Sequence, residues 1–235
     1  MIPIADLHMH TFASFDGRGS AEDMARTAFE NGASCICFTE HYDELNLPTE
    51  DPEAFDNRPY YLEHESAAKE KLAELQERYR GKMKVLYGVE LGQGYIDRND
   101  ALAFLDARPF DYVIGSVHNI SSGRDYYLVD YSQTDPISLL EKYYEDNLKL
   151  IRFGHIDTVA HLDYPVRVMK GFINPELKYL REAIAAVLSA AIEKGLPLEI
   201  NTKTRYSWAG RQSPETWVLN LFKDLGGSFV TLGSD

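Results

Sequence analysis

Seven short apolar runs, most of them separated by longer amphipathic segments, constrain the fold of this chain more than any other feature. The runs lie at 2–8, 34–41, 84–91, 111–118, 153–162, 196–201 and 228–235. The segments with helical periodicity lie at 21–32, 60–79, 99–107, 135–151, 175–195 and 213–227. Strands that alternate with helices form a mainly parallel sheet. The pattern therefore predicts an α/β fold, either a closed barrel or an open doubly wound sheet.

The residues at the ends of the apolar runs distinguish these two architectures. Nearly every run ends in or just before an imidazole, a carboxylate or an amide, as in DLHMH, TEH, GVE, GSVH, EIN and GSD. Parallel βα barrels gather their active-site residues from the C-terminal ends of several strands. An open sheet binds its ligand in one crevice at the switch point, which engages fewer strands. Polar ends on all seven runs therefore favour a barrel with one site.

The spacing of the polar residues predicts a metal site. His8 and His10 lie two residues apart at a strand end, so their side chains point to the same face. Imidazoles on one face suit zinc, iron or manganese. Further residues could complete the coordination of two or three ions. Asp235 could bind the first ion, His118 and His155 the second, and Asp16 with His41 the third, while Glu90 could bridge two of them. Such a cluster is typical of a metal-assisted hydrolase.

Each of these histidines also has a structural interpretation, because a single strand-end histidine is usually a hydrogen-bonded structural residue. His64 lies in a charged helix and is expected to be solvated. The other six of the seven histidines lie at or just beyond strand ends. That concentration favours one functional site over six independent structural roles.

Length and composition narrow the class of protein. A chain of 235 residues predicts a single domain over 1–235. The net charge of −13 argues against nucleic-acid binding, which needs a basic surface, but is compatible with a small anionic substrate. No apolar run approaches the roughly 20 residues that a membrane helix needs, and the N-terminus lacks signal-peptide features. With two cysteines, the sequence predicts a cytoplasmic protein.

Six motifs resemble, in order and spacing, those of the PHP (polymerase and histidinol phosphatase) superfamily of metal-dependent phosphoesterases. They are DLHMHT, FTEH, YGVELG, GSVHN, GHID and a terminal GSD. The resemblance spans the whole chain and is closest to the histidinol-phosphate phosphatases of the HisK/HisJ type. It implies a distorted (β/α)7 barrel and two or three Zn, Fe or Mn ions. It also implies a role in histidine biosynthesis. The implied reaction is hydrolysis of a phosphate ester by a hydroxide that bridges the metal ions.

Carried over by motif, the catalytic centre would comprise His8, His10, Glu90 and Asp235, which bind the first ion. The resemblance implies that Glu90 bridges to a second ion held by His118 and His155. Asp16 and His41 would hold the third. In the family, the last motif usually continues to a histidine that binds the third ion. Because this sequence stops at Asp235, we expect that a final segment of the domain is missing from it.

Two further departures from the family pattern concern the phosphate. Relatives often place an arginine shortly after GHID, where this chain has His161, with Arg167 further on. They also carry an arginine soon after EINT, where Lys203 and Arg205 lie here. A phosphate dianion needs cationic partners. We therefore expect Arg205 and His161 to bind the substrate phosphate, with Lys203 and Arg167 as second choices.

The leading hypothesis is a phosphomonoesterase that acts on L-histidinol phosphate. Three alternatives remain open: a PHP phosphodiesterase or exonuclease, a non-catalytic metal-binding PHP domain, and a metal-dependent amidohydrolase. The acidic charge argues against the first, and the nearly complete ligand set argues against the second. The third usually has a lysine at a later strand end, which the run at 111–118 lacks.

The acidic segment 42–59 is predicted to form a loop over the barrel that contacts the leaving group. The native metal and the oligomeric state stay open.

Overall fold

A computed structural model describes residues 4–169, 180–206 and 210–235 of the chain. Seven parallel strands form one sheet in chain order. They are β1 (Ile4–Met9), β2 (Ala33–Asp43), β3 (Lys84–Gly92), β4 (Tyr112–Ser116), β5 (Thr158–Val159), β6 (Leu198–Asn201) and β7 (Val230–Gly233). The helices are α1 (Ala21–Glu30), α2 (Arg58–Arg78), α3 (Arg98–Asp106), α4 (Pro136–Phe153), α5 (Arg181–Glu193) and α6 (Thr216–Asp224).

The first and last strands lie side by side and bring the sheet almost to closure. The backbone N–H of Asp235 donates to the carbonyl of His8 at 2.8 Å. The N–H of Ser234 donates to Oδ1 of Asp6 at 3.0 Å. These bonds join the residues after β7 to β1, so the predicted (β/α)7 barrel is confirmed.

The hydrophobic core lies mainly between the sheet and the helices around it. Leu150 of α4, Val159 of β5 and Leu188 of α5 are fully buried in one cluster. A second cluster packs Ile36 of β2 against Leu75 of α2. Each fully buried side chain of this size contributes about 1.5–3 kcal/mol relative to an exposed one. The packing holds the strands rigidly, and this fixes the positions of the residues that follow them.

The fifth strand differs most from its prediction. Helix α4 continues to Phe153 and ends at Gly154, whose φ of 70° and ψ of −157° are accessible essentially to glycine alone. Strand β5 comprises only Thr158–Val159 of the predicted run 153–162. His155, with φ of 59°, therefore lies in the turn before β5 and not at its C-terminal end.

One helix start also differs from the prediction. Helix α6 begins at Thr216 because the backbone of Ser213 pairs with Asn201 through bonds of 2.9 and 2.7 Å. The predicted start of α5 at 175 lies outside the described residues. No helix in the described ranges combines the length and the apolar composition that crossing a membrane requires.

Candidate metal centre

The carboxylate of Glu90 lies at the centre of the site. Glu90 is fully buried on β3, in register with His41 on β2. Five imidazole nitrogens lie around its two oxygens: Nε2 of His8 at 3.1 Å, Nε2 of His10 at 3.2 Å, Nδ1 of His41 at 3.1 Å, Nε2 of His118 at 3.1 Å and Nε2 of His161 at 2.9 Å. These histidines lie at the C-terminal ends of four strands, β1, β2, β4 and β5, so the fold brings them together as barrel geometry predicts.

The ligating atoms form four overlapping triads within the described residues. In each triad the atoms lie within 4.8 Å of one another. The triads are His8, His10 and Asp235; His8, Glu90 and His161; His10, His41 and Glu90; and His41, Asp43 and His118. Because neighbouring triads share members, the candidate ligands form one continuous cluster.

Asp235 and Asp16 lie on the side of the cluster that faces the cavity. Asp235 Oδ1 is 3.6 Å from Nε2 of His10, and its carboxylate accepts from Arg167 at 2.7 Å and Lys203 at 2.8 Å. Asp16, with 38% of its side chain exposed, lies 3.4 Å from Nε2 of His41. The structure thus brings both predicted aspartates to the cluster.

Two buried carboxylates orient the imidazoles. Glu199 Oε1 lies 2.6 Å from Nδ1 of His8, and Asp43 Oδ2 lies 3.1 Å from Nδ1 of His118. Each contact engages one ring nitrogen and leaves Nε2 directed at Glu90. Carboxylates that bond the second nitrogen of a metal-binding histidine fix its tautomer and its orientation. The two rings are thus held with Nε2 directed at the centre of the cluster, where a metal ion would bind.

The electrostatics of the cluster favour added positive charge. Burial by itself would lower the pKa of His8 and of His118, yet Glu90 and the other carboxylates raise both pKa values well above the ordinary value. Burial would likewise raise the pKa of Glu90, but the surrounding imidazoles hold it well below its usual range. Anionic groups outnumber lysine and arginine here: Glu90, Asp235, Asp16, Asp43 and Glu199 against Arg18, Arg167 and Lys203.

The geometry and the donors fit divalent cations. Nε2 of His8 and Nε2 of His10 lie 3.0 Å apart, and the buried Nδ1 of His41 makes no hydrogen bond. Ligands of a tetrahedral zinc ion, with bonds of about 2.0–2.1 Å, lie about 3.4 Å from each other. The observed separations are close to that value. Imidazole and carboxylate together suit zinc, iron and manganese.

His155, a predicted ligand, lies away from this cluster. Its ring is exposed, and its Nε2 is 3.4 Å from Nη2 of Arg98. The reason is that His155 precedes β5, whereas the site collects residues at or beyond the C-terminal ends of strands. His161, which the sequence assigned to the phosphate, follows β5 and occupies the position expected of His155. Burial lowers the pKa of His161 to about 4, which keeps the ring neutral and able to bind a metal.

A cavity of about 1050 Å³ opens onto the cluster. Arg167 and Lys203 line it, whereas Arg205 is exposed and lies outside the described lining. Lys203 and Arg205 lie two residues apart in the 3₁₀ helix Lys203–Tyr206. In such a helix only every third residue shares a face, so the two side chains diverge. The structure thus places the two second choices, and not Arg205, on the cavity wall.

The segment 42–59 is partly strand, since β2 extends to Asp43. Its remainder reaches the cavity, which Phe55 and Asn57 line. Asp51 fastens it to Arg124 through a contact of 2.9 Å. A position at the barrel opening agrees with the prediction, while contact with a leaving group stays a prediction.

Sequence reasoning missed the supporting carboxylates Glu199, Asp43 and Glu40. Glu40 accepts hydrogen bonds from the Thr11 hydroxyl at 2.6 Å and the Ser14 hydroxyl at 2.5 Å, which fixes the turn after His10. The sequence signal that could have identified them is a charged residue inside or just after an apolar run, such as Glu199 in LPLEIN. A charge at such a place requires a buried partner.

The sequence matches a protein family and several proteins of known name. A family model described as "PHP domain" matches residues 6–203. A Lactococcus lactis protein named histidinol-phosphatase is 30% identical over 98% of this chain and 82% of its own length. A Clostridium acetobutylicum protein named "Probable histidinol-phosphatase" is also 30% identical, over 99% of this chain and 86% of the relative.

Two solved structures resemble the fold. A crystal structure of the histidinol phosphate phosphatase HisK from Lactococcus lactis, complexed with zinc, L-histidinol and phosphate, has a TM-score of 0.74 and 28% identity. The match covers 99% of this chain and 85% of HisK. A Listeria monocytogenes structure has a TM-score of 0.83 at 18% identity, over 98% of this chain and 94% of its own. At that identity it supports the fold alone.

Proposed function

Because the chain belongs to the PHP domain family, we propose that it is a metal-dependent phosphomonoesterase that hydrolyses histidinol phosphate to L-histidinol and phosphate. The observation that carries the proposal is the ring of five imidazole nitrogens around Glu90. This ring opens onto a cavity that three cationic side chains line, Arg18, Arg167 and Lys203. Curated relatives at 30% identity carry the name histidinol-phosphatase, and this supports the choice of substrate.

We propose that the cluster holds two or three ions of zinc, iron or manganese. The overlapping triads support this number, since one ion cannot satisfy all four. The proposed ligands are His8, His10, Asp16, His41, Glu90, His118, His161 and Asp235, with His161 in place of His155. When bound, such ions supply Lewis acidity toward phosphoryl oxygens and activate water.

The chain's own residues prepare the site for a phosphate. Arg167 is buried, with only 4% of its side chain exposed, and its guanidinium contacts Asp235 at 2.7 Å. Lys203 contacts the same carboxylate at 2.8 Å and keeps 42% of its side chain exposed. Both cations border the cavity, so they are placed to bind phosphate oxygens beside the metal ligands. The fixed guanidinium orients the phosphate, while the lysine can follow it as the products leave.

The free thiols of Cys35 and Cys37 support the cytoplasmic location that we propose. Disulfides are rare in that compartment. The partner that we propose is a small phosphorylated molecule, which a cavity of about 1050 Å³ can accommodate.

The test is phosphate release by the purified protein, loaded in turn with zinc, manganese or iron. We expect turnover of L-histidinol phosphate, its loss on chelation, and its recovery when metal returns. Glu90→Gln should abolish turnover, because it removes the charge that the imidazoles surround. Glu63→Gln, an exposed position on α2, is the matched control and should behave as the wild type.

The alternative hypotheses give different results in the same assay. Hydrolysis of bis(p-nitrophenyl) phosphate without hydrolysis of monoesters would favour a phosphodiesterase. A protein that binds metal but releases no phosphate from any ester would be a non-catalytic domain. Either result contradicts the proposal.

A further inference from the structure

One carboxylate on the cavity wall has no part in the metal cluster. Four described carboxylates line the cavity: Asp16, Asp43, Asp125 and Asp235. Three of them lie within 4.0 Å of a lysine, arginine or histidine nitrogen. Asp125 alone of the four has no such ion pair among the described residues. It accepts instead from neutral donors, the backbone N–H of Tyr127 at 2.8 Å and the hydroxyl of Tyr164 at 3.1 Å.

Asp125 is close to the metal cluster through Tyr164. The Tyr164 ring lies 5.0 Å, between ring centroids, from both His118 and His161. Its hydroxyl extends from these imidazoles to Asp125. The N–H of Tyr126, next to Asp125, also donates to the carbonyl of His118 at 3.0 Å. Asp125 therefore lies one tyrosine ring away from the proposed metal ligands, about as far as the organic half of a small phosphate ester extends.

The cavity that Asp125 lines also has aromatic and apolar side chains on its wall. Tyr127 is 53% exposed and Leu128 49% exposed, and both line the cavity. The Tyr127 and Tyr164 rings lie 5.7 Å apart. Phe15 and Phe55, which also line the cavity, form a second aromatic pair at 5.1 Å. A carboxylate in a cavity lined by aromatic rings is a favourable environment for an organic cation.

We propose that Asp125, with Tyr127 and Tyr164, binds the cationic nitrogen of the substrate's organic half and so selects phosphate esters of amino alcohols. The inference rests on the proposed function for the position of the phosphate. With phosphate at Arg167 and Lys203, the ester oxygen lies beside the metal ligands, and the nitrogen follows a few bonds further out. Asp125 and its tyrosines lie on the cavity wall that this part of the substrate reaches.

The structural roles of Asp125 leave it able to bind a ligand. An ionised carboxylate can accept about four hydrogen bonds, and the backbone of Tyr127 and the hydroxyl of Tyr164 use only part of that capacity. A group needed only to cap the 3₁₀ helix Tyr126–Leu128 could be an asparagine. Capping therefore does not explain the negative charge of Asp125. An asparagine at this position would remove the charge and keep the cap.

The first test compares Asp125→Asn with the wild type on two substrates. For L-histidinol phosphate we expect kcat/KM to fall about 10- to 100-fold, mainly through a higher KM, because a hydrogen bond to a charged group is lost. For p-nitrophenyl phosphate, which has no cationic nitrogen, we expect a change of less than about twofold. Asp130→Asn, an exposed carboxylate of the same segment, is the control with the same change of charge. Equal losses on both substrates, or none, would overturn the inference.

The second test measures binding of L-histidinol itself by calorimetry on the metal-loaded protein. We expect weaker binding to Asp125→Asn than to the wild type, with Asp130→Asn unchanged. Absent or equal binding to wild type and Asp125→Asn overturns the inference, even if phosphatase activity is present. Conversely, a wild type that binds L-histidinol through Asp125 but hydrolyses no monoester contradicts the proposed function and leaves the role of Asp125 supported.

The third test identifies which nitrogen is bound. It uses an analogue of the substrate that keeps the imidazole and lacks the amine. If Asp125→Asn no longer affects kcat/KM for the analogue, the carboxylate binds the ammonium group. If the loss persists, it binds the imidazolium. Both outcomes support a cationic subsite at Asp125.

Discussion

At the scale of single residues, two histidines of the same apolar run occupy different environments. His155 is exposed beside Arg98, while His161 is buried with Nε2 2.9 Å from Glu90. They differ in their position relative to β5, since one precedes the strand and the other follows it. The residues that converge lie at or beyond the C-terminal ends of the strands.

We therefore expect opposite results from two alanine substitutions. His161→Ala should lower the bound metal content and reduce kcat by at least about 100-fold, because a metal ligand is lost. His155→Ala should retain metal and activity within about twofold, as surface substitutions usually do. Elemental analysis and phosphate release measure both. Loss of metal in His155→Ala with retention in His161→Ala would contradict the structural assignment.

Much of the residue set was predictable from a simple rule, that polar residues at strand ends meet. The structure brings His8, His10, His41, Glu90 and His118 together accordingly. The rule assigns no role to Glu199 or Asp43, whose carboxylates contact Nδ1 of His8 and Nδ1 of His118. Nor does it bear on Arg205, which the family resemblance suggested and which the structure places outside the described cavity lining.

At the scale of elements, the boundary between α4 and β5 determines which histidine enters the site. Gly154 ends the helix with φ of 70° and ψ of −157°, a conformation that side chains with a Cβ disfavour. No heavy atom lies within 4 Å of a Cβ added there, so a substitution would cost backbone strain without a steric clash.

Gly154→Ala should thus lower the free energy of unfolding by about 1–3 kcal/mol. Urea denaturation of the metal-free protein measures this change. Glu141→Ala, at an exposed position of α4, is the control and should stay within about 0.5 kcal/mol of the wild type. An unchanged stability in Gly154→Ala would show that the backbone relaxes to another conformation at this turn.

The number, order and type of the elements were predictable, because alternating apolar and amphipathic segments specify them. Their ends were less so. The run 153–162 contains apolar residues at both ends of a strand that comprises only Thr158–Val159. Apolar residues also pack in turns and helix ends, as Phe153 does, so composition alone does not locate the limits of hydrogen-bonded pairing.

At the scale of the whole molecule, the proposed ligands come from nearly every strand of the barrel. A ligand that binds the folded state alone stabilises it by about 2.7 kcal/mol at 100 times its Kd. In a chain of this size, 1 kcal/mol shifts Tm by about 2–4 °C. Saturation with zinc should therefore raise Tm by at least about 5 °C.

Scanning calorimetry with and without chelator measures the shift. Glu90→Gln should show a much smaller shift, because its ion is bound weakly, while Glu63→Gln should match the wild type. A protein that is unfolded without metal would contradict the expectation, since the buried core of leucine, isoleucine and valine side chains is sufficient to hold the fold.

The hydrogen bond from the Asp235 N–H to the His8 carbonyl has a further consequence. His8, His10 and Asp235 also form one of the metal triads, so an ion bound there would link chain segments from opposite extremes of the sequence. Such an ion acts as a reversible cross-link, and the entropy that it removes from the unfolded chain increases with the length of the loop that it closes. Here that loop comprises almost all the residues, so this triad is where a single ion restricts the unfolded chain most.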